Sequence, residues 1–135
     1  MTQLSDCIDA HITGIAVTDP PGGVEIVFRS SASVCFSMIA EGVDRLAVSE
    51  FREANIVDKV FVWDSRSDPQ DYRELLTAVI SGRSARTVHM TWTPIVESEV
   101  ELIKAGRKVL VEIQPVFGAR VALLARNIDL VASAA

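Results

Sequence analysis

Residues 56–82 read IVDKVFVWDSRSDPQDYRELLTAVISG, and the spacing of the apolar residues changes in the middle of this stretch. Its first eight residues are dense in β-branched and aromatic side chains, which predicts a central strand covered on both faces. Asp68 can then cap a helix, Pro69 fits the first helical position and Gly82 can end it, so we predict a helix over 69–81. A strand followed directly by a helix indicates a fold that uses both elements.

Strands are also predicted on the N-terminal side, where apolar and polar residues alternate. A turn is predicted at Asp19–Gly23, because its two prolines preset φ and its two glycines accept positive φ. The strands predicted around this turn and after it are His11–Thr18, Val24–Arg29, Ser33–Ile39 and Val43–Val48. The first half of the chain is therefore predicted to form an antiparallel meander.

The C-terminal side predicts one further helix between strands. Thr93 followed by Pro94 repeats the pattern of a cap and then a proline, and Gly106 closes a run with apolar residues on one face. The predicted strands are Thr87–Thr93, Lys108–Gln114 and Ala119–Val131, the last with a break near Asn127, and a turn is predicted at Pro115–Gly118. The predicted fold class is α+β: a mainly antiparallel sheet, a meander with hairpins, with two helices packed on it.

Size and composition predict one α+β domain that spans residues 1–135, because 49% hydrophobic residues supply enough apolar surface for one core. The longest apolar runs are far shorter than the roughly 20 residues needed to cross a bilayer. The N-terminus has no basic region followed by an apolar one, so no secretory signal is predicted. We therefore expect a cytoplasmic protein that keeps Cys7 and Cys35 as reduced thiols.

The charge distribution indicates which partners the chain suits. The net charge is −5 and the basic residues are spread singly from Arg29 to Arg126. A phosphate backbone rewards clustered lysine and arginine, so direct nucleic-acid binding is disfavoured. A basic protein partner fits this charge better.

Two acidic groups and one aromatic residue are the candidate partner-binding residues. Capping explains Asp68 and Asp71, and a solvated helix face explains the second acidic group, but both groups can also steer a basic partner. Phe117, placed in the predicted final turn, is either a core residue or an interface anchor. The acidic candidates are Asp64, Asp68, Asp71 and Glu74 in the first group and Glu97, Glu99 and Glu101 in the second.

Catalytic and metal sites have few candidate residues, because His11 and His89 are the only imidazoles. Cys35 and His89 could form a nucleophile and base pair, but neither lies in a local pattern typical of such sites. If residues 7–11 are extended, Cys7 and His11 project to the same side as Asp9, and together with His89 they could ligate zinc, yet this spacing is not one that zinc sites use. We predict no catalytic residue, no metal and no cofactor.

Three segments resemble small bacterial immunity proteins of contact-dependent and other polymorphic toxin systems. They are FREANIV at 51–57, LVEIQPVFGA at 110–119 and NIDLV at 127–131. The resemblance implies a compact, acidic, cytosolic α+β protein without activity of its own. It also implies that this protein blocks a cognate toxin domain, often a nuclease, by covering its cleft.

Two other classes of function stay open from the sequence. One is a small enzyme with a dispersed site that uses Cys35, His11 or His89 as the reactive group. The other is a homo-oligomeric subunit in which Val43–Val48 or Val121–Leu124 pairs between chains at a sheet edge.

Overall fold

The computed structural model describes residues 3–18, 22–82 and 92–132. Within these ranges the chain forms eight strands and two α-helices, after a short 3-10 helix at Leu4–Cys7. The elements are β1 His11–Thr18, β2 Gly23–Arg29, β3 Cys35–Glu41, β4 Arg45–Ser49, β5 Ile56–Trp63, α1 Pro69–Ser81, α2 Thr93–Lys104, β6 Val109–Phe117, β7 Arg120–Ala125 and β8 Asn127–Ala132. The predicted α+β class with a mainly antiparallel sheet is confirmed.

The sheet consists of two four-stranded halves. In the described ranges its order is β4-β7-β6-β5-β1-β2-β3-β8, and every neighbouring pair is antiparallel. The junction between the halves is narrow, because β5 and β1 meet only where His11 pairs with Ile56. One half is therefore β4-β7-β6-β5 and the other is β1-β2-β3-β8.

The two halves are also linked where β3 continues into β4 and β7 continues into β8. The Arg126 amide donates to the carbonyls of Glu41 at 2.9 Å and Gly42 at 3.2 Å, and the Asp44 amide donates to the Leu124 carbonyl at 2.9 Å. The β3–β8 ladder thus runs on into the β4–β7 ladder as one bent ribbon. Strands that bend from one sheet into the other allow the halves to pack face to face.

The main core lies between the two halves. Phe28 and Phe36 stack within it with ring centroids 5.1 Å apart, and full burial of such a side chain contributes about 1.5–3 kcal/mol. The buried residues contributed by the strands are Ile12, Val24, Ile26, Phe28, Phe36, Met38, Ala40, Val57, Val111, Ile113, Val121, Leu123 and Ala125. Both halves supply them, so neither half has a complete core without the other.

The two helices pack on the outer face of β6 and β7 and form a second core. Leu110, Ala122 and Leu124 face them from the sheet. The helices contribute Tyr72, Leu76, Val79, Ile80, Val96, Val100 and Ile103. As a result β7 is buried on both faces, whereas β5 leaves Asp58, Lys59 and part of Phe61 exposed. The prediction that residues 56–63 are covered on both faces is wrong, because the helices lie over β6 and β7 instead.

The helix prediction at 69–81 is confirmed at both ends. The Asp68 carboxylate accepts from the Gln70 amide at 2.9 Å, and Gly82 ends the helix at φ +69°. The second helix begins one residue earlier than predicted. Trp92 precedes it and Thr93 is its first residue, so Thr93 does not cap it.

Strand pairing departs from the predicted meander after β3. β4 pairs with β7, so in the described first half of the chain only β1, β2 and β3 form a meander. Pro115 lies within β6, beside a bulge opposite Val57, and the turn falls at Gly118. Val121–Leu124 lies in β7 between β4 and β6 and is not a sheet edge. The strand predicted at Thr87–Thr93 lies mostly outside the described residues, and Thr93 itself belongs to α2.

Replacing the cap of α1 tests how much this helix depends on its first turn. We expect Asp68→Ala to lower the free energy of unfolding by about 1 kcal/mol, because the Gln70 amide loses its acceptor. Chemical denaturation measures this change. Asp71→Ala is the matched control in the same turn, and an equal loss in both variants would contradict a capping role for Asp68.

Candidate functional site

Asn55 is a buried amide that joins three separate parts of the chain. Its Oδ1 accepts from the amides of Arg52 and Ala119, both at 2.9 Å. Its Nδ2 donates to the Arg52 carbonyl at 2.8 Å, and its own carbonyl accepts from the Ile12 amide at 2.8 Å. The segment between β4 and β5 is thereby held against β1 and against the β6–β7 turn.

Gly118 allows the β6–β7 turn to approach this segment closely. Its φ is +86°, a conformation that side chains disfavour. A Cβ at this position would lie 2.5 Å from the Asn55 Oδ1 and closer still to the Ala54 carbonyl. Only glycine fits here without a shift of the backbone.

Two aromatic rings are exposed where these segments meet. Phe51 is 51% exposed and Phe117 is 46% exposed, and the Arg52 guanidinium lies 5.8 Å from the centroid of the Phe117 ring. Arg52 also forms a salt bridge with Glu50 at 2.6 Å. We call the surface formed by Phe51, Arg52 and Phe117 the aromatic end. The sequence-predicted anchor Phe117 is therefore exposed with a cation over its ring, and the second exposed ring, Phe51, directly precedes that arginine in the chain.

A groove of about 210 Å³ adjoins the aromatic end and shares Phe51 and Arg52 with it. His11 and Arg29 also line the groove, and they are direct cross-strand neighbours in the β1–β2 ladder. Arg29 forms no ion pair within the described part of the chain. This end of the molecule therefore combines apolar rings with cationic groups.

The acidic candidates lie away from the aromatic end. Asp64 follows the last residue of β5, whereas Phe117 pairs with its first residue, Ile56. The seven residue steps of the strand separate these two ends by about 23 Å. The structure therefore does not bring the acidic groups and Phe117 together into one surface.

Most of the acidic candidates either form an ion pair with a nearby cation or cap a helix. Asp68 caps α1, while Asp71 and Glu74 form no ion pair among the described residues. The pairs are Asp64 with Arg66 at 3.0 Å, Glu97 with Arg73 at 2.9 Å, Glu99 with Lys108 at 2.7 Å and Glu101 with Lys104 at 3.7 Å. The hydrogen bond from Arg66 lowers the pKa of Asp64 below its ordinary value.

Lys108 is a largely buried cation between two of these carboxylates. It contacts both Asp44, just before β4, and Glu99 on α2. Burial alone would lower the pKa of Lys108, but the hydrogen bonds to the two carboxylates outweigh it and raise the pKa. Glu99 therefore has a structural role, joining α2 to the sheet.

Cys7 does not form the zinc-like arrangement considered from the sequence. It ends the 3-10 helix and is fully buried in the main core, and Asp9 adopts a positive φ of 63°. The segment is not extended, so Cys7, Asp9 and His11 do not project to one side. The described residues contain no group of three potential ligands placed to hold a metal, and His89 lies outside them.

Burial makes the Cys7 thiol resistant to ionisation. Burial, reinforced by the charge of Asp6, raises the pKa of Cys7 from 9.0 to about 12. We expect a thiol reagent at neutral pH to label Cys35 but not Cys7 until the protein is denatured. Because the unfolded thiol loses its proton first, stability relative to Cys7→Ala should be full below pH 9 and fall as the pH rises towards about 12. Fast labelling of both thiols in the folded protein would contradict this placement.

Cys35 and His11 share a face of the sheet but are too far apart to react together. Arg29 pairs with His11 on one side and with Cys35 on the other. Two strand spacings therefore separate them, roughly 10 Å, which is beyond the hydrogen-bond reach that a nucleophile and base require. Cys35 is exposed beside a cleft of about 270 Å³, and the described residues lining it include Asp6 and Ser30 but no histidine.

Sequence reasoning missed Asn55, Arg52 and Arg29 as residues of the candidate site. Asn55 and Ala119 are 64 residues apart in the chain, so no local sequence pattern predicts their contact. The positive φ of Gly118 was foreseeable from a glycine in a predicted turn. The sequence did not indicate that Ala54 and Asn55 pack against this glycine.

The chain matches no protein-family model, no curated protein and no solved structure. Among the described residues, no helix is both long enough and apolar enough to span a membrane. A proposal about function therefore depends on the geometry and charge of the chain's own residues.

Proposed function

We propose that this protein is a protein-binding module whose contact surface is the aromatic end. The supporting observation is that Phe51 and Phe117 are each about half exposed beside Arg52. Large rings and arginine carry much of the binding energy at protein interfaces. A side chain that is half exposed in the free protein still has apolar area to bury against a partner.

The hydrogen bonds of Asn55 hold the backbone beneath these rings in place, which favours tight binding. Asn55 holds the backbone on both sides of the aromatic end, at Arg52 and at Ala119. A surface that is already ordered loses less conformational entropy on association, so more of its contact energy appears as affinity. Because Gly118 permits the close approach of the two segments, the position of Phe117 is set before the partner arrives.

The form of this function that we propose is immunity against a toxin. The partner is then a basic toxin domain, and the protein neutralises it by occluding its cleft without catalysing a reaction. The net charge of −5 favours the long-range approach of a basic protein. At the aromatic end itself Arg52 is already paired with Glu50, so the contact there is made mainly by the two rings. Asp71 and Glu74, which have no cation partner among the described residues, contribute directly to this negative potential.

The experiment that tests this function uses the toxin domain encoded directly upstream of the gene. An immunity protein should form a complex with that domain in size-exclusion chromatography and should restore the growth of cells that express it. If the two proteins formed no complex and the cells were not protected, the proposal would be contradicted. Cys35→Ala and His89→Ala variants separate it from an enzyme, because a binding protein should protect without the Cys35 thiol or the His89 imidazole.

A further inference from the structure

The groove beside the aromatic end contains two side chains whose donors have no partner. Arg29, the last residue of β2, and His11, the first residue of β1, are direct cross-strand neighbours, and both line this groove. Within the described part of the chain, neither side chain forms an ion pair or a hydrogen bond. Cross-strand neighbours have Cβ atoms about 4.5–5.5 Å apart, so one ligand group can reach both donors.

The groove also has an apolar wall. Phe51, which is half exposed, lines it together with Ala54 and Ile12. Because Phe51 belongs to both, the groove is continuous with the aromatic end. Liquid water occupies about 30 Å³ per molecule, so the groove, at about 210 Å³, has room for the few heavy atoms of one acidic side chain.

The charges along the groove favour a ligand with a single negative charge. Arg29 supplies a cation that is paired with no carboxylate of the described residues, whereas Arg52 is already paired with Glu50. Glu53 is the one carboxylate among the described residues that line the groove, and it pairs with neither arginine. The charge of Glu53 opposes a dianion such as phosphate. A carboxylate, with one charge and two acceptor oxygens, is therefore the anion that fits best.

We propose that the groove binds an aspartate or glutamate side chain of the partner protein, with Arg29 as the main donor and His11 as the second. This inference rests on the proposed function, because it names a contact made by the partner of the aromatic end. The guanidinium donates two parallel hydrogen bonds to a carboxylate, and an imidazole N–H donates a third. A partner seated on the aromatic end also covers the groove, and the exclusion of water strengthens the ion pair.

Removing the Arg29 charge has an effect opposite in sign to the long-range attraction between an acidic protein and a basic partner. Arg29→Gln makes the net charge one unit more negative than −5, which by itself favours the approach of a basic partner. If Arg29 binds a carboxylate, the same change weakens the complex instead, and we expect a loss of affinity of at least about tenfold in titration calorimetry.

Arg126→Gln is the matched control for the change of charge. Arg126 is 68% exposed, and its amide bonds to the Glu41 carbonyl at the end of β3 opposite to Cys35, the neighbour of Arg29. The variant therefore removes the same charge away from the groove. It should bind at least as tightly as the unmodified protein.

A small carboxylate tests the groove without the toxin domain. The probe is 3-phenylpropionate, which joins a carboxylate to a ring, and 3-phenylpropionamide is its neutral counterpart. We expect the carboxylate to shift the NMR signals of His11 and Arg29 and to saturate with a dissociation constant on the order of 1–10 millimolar. The neutral probe should shift these signals far less, and in Arg29→Gln the saturable shift of His11 should be lost.

Several results would overturn the inference. With the probes, these are no saturable shift at His11 and Arg29, equal binding of the neutral probe, or tighter binding of inorganic phosphate than of the carboxylate. With the toxin domain, Arg29→Gln that binds as tightly as the unmodified protein, while Phe51→Ala/Phe117→Ala binds weakly, would refute this inference and leave the proposed function standing. Absence of any complex contradicts the proposed function, whereas the probes still decide whether the groove takes a carboxylate.

Discussion

Replacing Asn55 by alanine is expected to lower the free energy of unfolding by about 2–4 kcal/mol, because two backbone amides, one buried and one partly buried, lose their shared acceptor. These amides belong to Arg52 and Ala119, and the Arg52 carbonyl loses a donor as well. The groups left behind lie beneath the aromatic end. Denaturation by urea, followed by circular dichroism, measures the change.

Asn127→Ala is the control for this variant, because Asn127 is an exposed amide at the start of β8. Asn127→Ala should lower the free energy of unfolding by less than about 0.5 kcal/mol. If both variants lost the same stability, Asn55 would not be the joint between the β4–β5 segment and the β6–β7 turn.

The second large effect concerns binding. We expect Phe51→Ala/Phe117→Ala to weaken the complex with the proposed toxin partner by about 30- to 1,000-fold, equivalent to about 2–4 kcal/mol of binding free energy. Both rings are only about half buried in the free protein, so the free energy of unfolding should change far less. Titration calorimetry measures the affinity.

The matched control removes apolar area at positions away from the aromatic end. Val17 is 75% exposed and lies at the opposite end of β1 from His11, and Val17→Ala should bind as the unmodified protein does. A control that binds as weakly as the double phenylalanine variant would show that general loss of surface hydrophobicity, and not the aromatic end, determines affinity.

Local signals in the sequence predicted much of the fold. The boundaries of α1 follow from Asp68, Pro69 and Gly82, each of which acts within one helical turn. The strands β1 and β2 follow from alternation over seven or eight residues. These signals succeed because the physical cause lies next to the residue it affects.

The order of the strands could not be predicted in the same way. Gly42 resembles a hairpin turn between two short strands, but it lies at a bend where β3 continues into β4. The partner of β4 is β7, more than seventy residues away in the chain. Only the packing of the two halves around one core decides this pairing, and that packing is not visible in local patterns.

For the candidate site too, the features set by nearby residues were predictable from the sequence, whereas contacts between distant elements were not. The exposure of Phe117 was considered from its position in a turn, and the pair of Glu101 with Lys104 is visible at helical spacing. By contrast, the pair of Glu97 with Arg73 joins two helices. Counting carboxylates along the chain therefore overstated how many acidic residues are available to a partner.

The most direct test of the proposed binding surface is amide hydrogen exchange on the protein alone and in complex with the proposed toxin partner. The account predicts slower exchange in the complex at residues 50–55 and 116–119, the two segments that carry the exposed rings. Protection confined to α1 and α2, with those two segments exchanging as in the free protein, would contradict it.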